Sequence, residues 1–338
     1  MAVDKTPSYE LRSQNAAEPS QRSPAAGDPS RFPQIISHRG YKGRFPENTL
    51  CAVEGAIQAG THALELDVHL SRDGEVVLSH DESLQRCFGI KKKITECDWA
   101  YLKTLRTVQA PNDPIPRLAD VLEYLRHPGR EHVWVLLDIK RTNDPATIMR
   151  RIAETIALVP VFTGTPEWHR RIVLGCWSAR YLPPRDKFLS GYTMSLICFD
   201  FSYARQFMRV ADISFNVYQK ILMGPLGHGF LEEARAANHQ VYLWTVNAPN
   251  LMRWGIRHRV DGVITDDPAY YQQICAQWEA EQLDEAGSSK NTKSDRLTLA
   301  ERLDIWLLAL LAVLIGWCFR LRYLPSLHRV QLEQNAGK

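Results

Sequence analysis

Between about Gln34 and Gln277, short apolar runs of strand length alternate with stretches in which apolar residues recur at helical spacing. Strands are expected at Gln34–His38, Ala63–Val68, Glu75–His80, Val133–Ile139, Ile172–Trp177, Gly191–Cys198, Asp212–Asn216, Val241–Val246 and Gly262–Thr265. Helices are expected from Asn48, a good N-cap residue, to Gly60, a good stop, and over Leu118–Arg126, Ala146–Leu158, Phe230–Asn238 and Leu251–Arg257. Arg72-Asp73-Gly74 reads as a hairpin turn, which makes the run ending at His80 an excursion and leaves eight βα units. Such alternation is the signature of a parallel sheet covered by helices, and the expected fold is α/β, a TIM (β/α)8 barrel. Reacting groups in that fold gather at the C-terminal ends of the strands.

The flanks differ in kind. Residues 1–32 are rich in Ser, Pro, Ala and mixed charge, lack the apolar run of a signal peptide, and read as a disordered tail ahead of a barrel domain at 33–280. A polar linker is expected at 281–302, a hydrophobic membrane-anchoring helix at 303–324 and a polar tail at 325–338. The uncharged run Ile305–Phe319 would rise only about 22 Å as a helix, against a hydrocarbon core of about 30 Å. A full span would also leave Arg320, Arg322 and Arg329 in a short translocated tail. The expectation is a helix dipping into one leaflet, with Trp306, Trp317 and Tyr323 suited to the interface.

Composition narrows the classes. A chain of 338 residues that is 45% hydrophobic accommodates one barrel-sized domain, and a formal net charge of +3 gives no basis for nucleic-acid binding. The seven cysteines form no C-x-x-C pair, which argues against zinc and for reduced thiols in an intracellular setting.

The chemistry lies in polar residues at or near predicted strand ends. His38-Arg39-Gly40 follows the first strand and leads to Pro46-Glu47-Asn48-Thr49; Glu65 and Asp67 sit in the second; His80-Asp81 ends the excursion; Asp138 and Lys140 close the fourth run. The two-residue strand period puts Glu65 with Asp67, and Asp138 with Lys140, on one face of their strands. Three carboxylates supply hard oxygen ligands, suited to magnesium or calcium. Two imidazoles can accept and donate protons near neutrality.

These five blocks, in this order, resemble the glycerophosphodiester phosphodiesterase family over roughly residues 33–276. The resemblance implies a phosphoric diester hydrolase with His38 and His80 as the acid–base pair, Glu65, Asp67 and Asp138 as ligands of a divalent cation, Mg2+ or Ca2+, and Arg39, Glu47, Lys140 and Trp244 at the substrate. Glu47 would either bind substrate or support the metal site. Asp266, in the final strand block, would order its loop rather than perform chemistry. Many family members carry glutamate where Asp138 stands, and the shorter arm would move the ion or admit a water. A short segment after His80, ending at Lys91-Lys92-Lys93, would leave the mouth open; those lysines are either a solvated loop or a contact with anionic lipid.

Within the family, the chain with its C-terminal apolar run most resembles the membrane-attached phosphatidylglycerol phospholipase C branch of fungi. The expected substrate is then a phospholipid, phosphatidylglycerol, cleaved to diacylglycerol and glycerol phosphate. The setting would be an intracellular membrane or lipid-droplet surface, with endoplasmic reticulum and mitochondria also open, and the catalytic domain in the cytosol. Lysophospholipase D or a soluble glycerophosphodiester hydrolase is the enzyme alternative. A catalytically silent lipid-binding protein is the other class, which loss of a histidine or ligand would have suggested.

Overall fold

Strand-forming runs close on themselves because each buries both of its faces. The computed structural model describes residues 32–285 and 298–336. Its strands are β1 (Gln34–His38), β2 (Ala63–Leu70), β3 (Val76–Leu78), β4 (Trp134–Ile139), β5 (Ile172–Cys176), β6 (Thr193–Cys198), β7 (Ile213–Tyr218), β8 (Val241–Trp244) and β9 (Gly262–Thr265). Eight of them pair in parallel in the order β1-β2-β4-β5-β6-β7-β8-β9, and β9 returns to β1 to close the barrel. β3 pairs antiparallel with β2 at its outer edge, the excursion that the Arg72-Asp73-Gly74 turn predicts.

Its helices include α1 (Leu50–Gln58), α2 (Leu118–Leu125), α3 (Pro145–Leu158), α4 (Leu182–Phe188), the short α5 (Gln219–Leu222), α6 (Gly227–Ala236), α7 (Pro249–Arg257), α8 (Pro268–Glu285), α9 (Leu299–Tyr323) and α10 (Leu327–Ala336). Alternation along each strand sorts the side chains into two cores. Leu64, Leu66, Val135, Leu137 and Leu174 belong to the main core shared with the covering helices. Ile36, Ala63, Trp134, Leu136, Val173, Tyr242 and Ile264 form a separate buried cluster. On β1, β2 and β4 these inner positions continue, two residues at a time, into His38, Glu65 and Asp138, so the polar site lies above an apolar plug.

Several expectations change. Asn48 is not the N-cap of α1: Thr49 takes that place, its Oγ1 accepting from Ala52 N, and Asn48 sits at φ 57° with its side chain turned to Asp67. The segment after His80 is not a bare short loop. Val77, Leu84, Phe88, Ile94, Leu102 and Ile115 build a small core of their own, which seats the chain from Asp81 to Arg117 beside the mouth. The expected tail lies outside the described residues up to position 31, as does the linker's centre at 286–297.

The apolar run near the C-terminus, expected as a membrane-anchoring helix dipping into one leaflet, lies within α9. Instead Ile305, Ala309 and Ala312 are buried, while Leu303, Trp306, Leu307, Leu310, Leu311 and Leu314 are exposed. Small residues permit close approach: a Cβ added at Gly224, just after α5, would lie 2.7 Å from that of Ala309. Among the described residues, no helix is long and apolar enough to cross a membrane.

Candidate active site

Register brings the acids together. Asp67 stands opposite Asp138 across the β2–β4 pair, and His38 opposite Glu65 across β1–β2. One oxygen from each of Glu65, Asp67 and Asp138 lies within 4.8 Å of the others, and all three residues are buried. Lys140 Nζ sits 2.5 Å from both Asp67 Oδ1 and Asp138 Oδ2. Asn48 Nδ2 donates to Asp67 Oδ2 at 2.7 Å, Trp177 Nε1 to Asp138 Oδ1 at 2.9 Å, and the Arg39 amide to Glu65 Oε2 at 3.0 Å.

Burial, then the charges of Asp67 and Asp138, push the Glu65 carboxyl well above its usual range. For Asp67 burial acts the same way, but Lys140 and Arg39 outweigh it and hold the carboxyl below the usual range. Asp67 Oδ1 is buried and receives no hydrogen bond of good geometry, despite the ammonium beside it. A crowded, all-oxygen donor set fits a hard divalent cation, which would relieve the repulsion raising Glu65.

The two histidines are each oriented by an aspartate. His38 Nδ1 donates to Asp266 Oδ1 at 2.5 Å, while its Nε2 accepts from Arg39 Nε at 3.2 Å. Burial lowers the His38 pKa, and the Asp266 contact opposes that only in part. Neutral His38 therefore carries its proton on Nδ1 and a lone pair on Nε2. His80 Nδ1 donates to Asp81 Oδ1 at 2.7 Å. Its side chain is 39% exposed, against 12% for His38, so the two face the pocket in different surroundings.

Local backbone geometry explains the block around His38. Arg39 adopts φ 54°, a left-handed conformation unusual for a side-chain-bearing residue, and Gly40 follows at φ 75°. A Cβ on Gly40 would lie 2.7 Å from the Ala52 carbonyl carbon, so only glycine lets the turn pack on α1. This turn aims Arg39 back across the mouth, where Nη1 donates to Glu47 Oε1 at 2.8 Å. Arg86 completes a bridge: it donates from Nη1 and Nη2 to Glu47 at 2.8 Å each, and from Nε to Asp81 Oδ2 at 2.7 Å.

The pocket thus collects His38, Arg39, Glu65, Asp67, His80, Asp138, Lys140 and Trp244 of the sequence-derived set. Glu47 is the exception. Both of its oxygens are held by arginines, and it braces the rim instead of joining the acidic cluster. Trp244 packs edge-on against Trp177 with ring centroids 6.2 Å apart and 5.2 Å from Tyr218, forming an aromatic wall.

Sequence reading gave no site role to Asn48, Asp81, Arg86, Trp177 or Asn216, and cast Asp266 as a loop-ordering residue. The Pro46-Glu47-Asn48-Thr49 and His80-Asp81 blocks held a signal for the first two. The final strand block held Asp266 as well, though its partner lies 228 positions away; nothing local marked Arg86, Trp177 or Asn216, and the partners of Arg86 and Trp177 lie 39 positions away.

Comparison with known proteins agrees with this geometry. The Bacillus subtilis protein named "Uncharacterized protein YqiK" is 28% identical over 70% of this chain and 95% of its own length. The human protein "Lysophospholipase D GDPD1" is 32% identical over 36% of this chain and 40% of its own. Among solved structures, the glycerophosphodiester phosphodiesterase of Thermotoga maritima superposes with a TM-score of 0.59 at 25% identity, covering 72% of this chain and 99% of that one. A phosphodiesterase from Oleispira antarctica, solved with its product sn-glycerol-3-phosphate, gives 0.61 at 20% identity, covering 72% and 97%. Residues 38–270 match the model of the glycerophosphoryl diester phosphodiesterase family, a span that takes in the whole pocket, and the chain belongs to that family.

Proposed function

We propose that this phosphodiesterase acts on glycerophospholipids at a membrane or lipid-droplet surface, with phosphatidylglycerol as substrate. The observation that carries the chemistry is the pair of aspartate-oriented histidines flanking a carboxylate cluster. His38 Nε2 takes the proton of the attacking hydroxyl, and His80, its imidazolium supported by Asp81, protonates the leaving alcohol. Arg39 and Lys140 neutralise the phosphoryl oxygens. A divalent cation held by Glu65, Asp67 and Asp138 would supply further charge neutralisation at the phosphate. Trp244 and Trp177 border the glycerol moiety.

In phosphatidylglycerol the head-group glycerol carries a hydroxyl vicinal to the phosphoester, and attack from within the substrate benefits from proximity. That hydroxyl oxygen bonds to phosphorus, the bond to the diacylglycerol oxygen breaks, and the released cyclic glycerophosphate is opened by water to glycerol phosphate. The membrane setting is supported by the exposed apolar ridge of α9. The thiols of Cys51, Cys87, Cys97, Cys176, Cys198 and Cys275 are free, in keeping with a barrel on the cytosolic side of an intracellular membrane.

A second reading, lysophospholipase D, is favoured by the similarity to the human enzyme of that name. There the free backbone hydroxyl of a lysolipid attacks and the head group departs. Purified protein is assayed against phosphatidylglycerol, lysophosphatidylcholine and glycerophosphocholine with product identification. Diacylglycerol from phosphatidylglycerol supports the first reading; lysophosphatidic acid or its cyclic form from the lysolipid, with phosphatidylglycerol untouched, replaces it by the second.

A further inference from the structure

The charges of the catalytic pocket crowd onto one arc of the barrel. Every ionisable side chain that lines it lies on or just after β1, β2, β3 or β4. The remaining arc from β5 to β8 contributes Trp177, Ile197, Asn216, Trp244 and Thr245. β7, which carries Asn216, is four strands from β2 in either direction around the closed order, so this residue stands across the barrel from the carboxylate cluster. Asn216 is only 3% exposed, and its Oδ1 is buried without a hydrogen-bond partner. Its neighbours in register supply none: Ile197 has no polar side-chain atom, and the Tyr242 hydroxyl donates to Gln240 Oε1 at 2.6 Å. Both indole donors on this arc are taken too, Trp177 Nε1 by Asp138 Oδ1 and Trp244 Nε1 by the Asn216 backbone carbonyl at 3.0 Å. A carbonyl oxygen buried without a partner costs stability, so its place in a substrate pocket calls for a donor brought by the ligand.

We propose that Asn216 reads the glycerol arm of the substrate, its Oδ1 accepting a hydrogen bond from a glycerol hydroxyl. This rests on the glycerophosphodiester chemistry of the reading above, not on the choice of lipid. With the phosphate held among Arg39, Lys140 and the histidines, the arm that extends toward β7 meets two kinds of surface. Two indoles whose N–H groups are already bonded suit its carbon skeleton, and one carboxamide suits its hydroxyls. The cavity measures about 130 Å³, where one water needs about 10–15 Å³, so there is room for a phosphate with a three-carbon arm. A choline or plain alkyl arm brings no donor and would leave the oxygen buried and unpaired; a site of that kind rejects the analogue that lacks the hydroxyl. Asn216 is thus a specificity residue that sets which of the two arms of the diester faces β7.

The test compares two ligands of equal charge and chain length, sn-glycerol 3-phosphate and n-propyl phosphate, which differ only in the hydroxyls. Their affinities are measured calorimetrically on the full-length protein with Mg2+ present. The wild type should bind glycerol phosphate at least about tenfold more tightly. In Asn216→Leu, close in size but without the amide, that preference should fall to within about twofold, while propyl phosphate binds as well as before or better. Where the leucine variant does not fold, Asn216→Ala carries the same comparison. A wild type that binds both ligands equally overturns the proposal without any variant. A preference that survives in a folded variant overturns it too, and hands the hydroxyls to other groups. Hydrolysis reports separately: phosphatidylglycerol left uncleaved by the wild type sinks the lipid reading, and the preference for glycerol phosphate still decides the part played by Asn216.

Discussion

Asp266 Oδ1 lies 2.5 Å from His38 Nδ1 across the seam where β9 meets β1, fixing the tautomer whose lone pair is on Nε2, where Arg39 Nε donates to it. Asn247 Nδ2 and Asp266 N in turn tie this carboxylate and its backbone to one loop, so the dyad has a rigid support. Asp266→Asn should keep the fold and substrate KM within about threefold, yet lower kcat by about 10²-fold, because the amide can stabilise the wrong imidazole tautomer. His38→Ala and His80→Ala should each lose about 10²–10⁴-fold. Steady-state kinetics with circular dichroism decide it; unchanged kcat in Asp266→Asn would reduce that residue to the loop-ordering part.

Asp81 makes the corresponding contact to His80 but stands nearer to solvent. Burial raises its pKa, and hydrogen bonds from Arg86 and His80 outweigh that, bringing it down to about 2. A carboxyl held below its unfolded value contributes stability that is present above the ordinary range and lost as pH falls toward about 2. In Arg86→Gln the Asp81 midpoint should move up toward 3.8, followed by NMR titration of the side-chain carboxyl. The stability cost should stay below about 1 kcal/mol, since the pair is partly solvent-screened. The kcat of Arg86→Gln should also fall about tenfold, because Glu47 and Asp81 lose their common brace. An unmoved Asp81 midpoint would show that Arg86 is not what holds it.

The carboxylate cluster predicts an ion. Chelation should abolish activity, and Mg2+ or Ca2+ should restore it, while Glu65→Gln, Asp67→Asn and Asp138→Asn should each weaken calorimetric metal binding at least tenfold. The electrostatics add a less obvious result. Because burial and then two carboxylates push Glu65 upward, metal-free Glu65→Gln should melt higher than the metal-free wild type, whereas with metal the order should reverse. Full activity in a chelated, metal-free preparation would make the cluster structural.

The ridge on α9 predicts surface attachment. Leu307→Glu with Leu311→Glu should lower binding to phospholipid vesicles at least tenfold and leave glycerophosphocholine hydrolysis unchanged, because both side chains point away from the barrel. Vesicle flotation and a soluble-substrate assay separate the two effects. Truncation before α9 is the less clean experiment, since it would uncover the barrel surface that Ile305, Ala309 and Ala312 now cover. Equal vesicle binding by the double variant would place attachment elsewhere, with the exposed Lys91-Lys92-Lys93 loop the next candidate.

What the sequence determined by itself is whatever depends on neighbours along the chain. Period-two alternation placed Glu65 with Asp67, and Asp138 with Lys140, on one face of their strands. Runs of strand and helix length, broken at turn residues, gave the barrel's units close to their observed bounds, as at Gln34–His38 and Gly262–Thr265. Tertiary structure decided what depends on closure. The Asp266–His38 contact exists only because β9 returns to β1, and Trp177 reaches Asp138 only through the β4–β5 register. Arg86 finds Glu47 because a small core after His80 folds that segment over the rim. The same holds at the C-terminus, where an apolar run legible as a lipid-seeking helix also has a seam of small residues. Close packing at Gly224 and Gly316 divides its surface into one face for the barrel and one left exposed, a division that hydropathy along the chain cannot register.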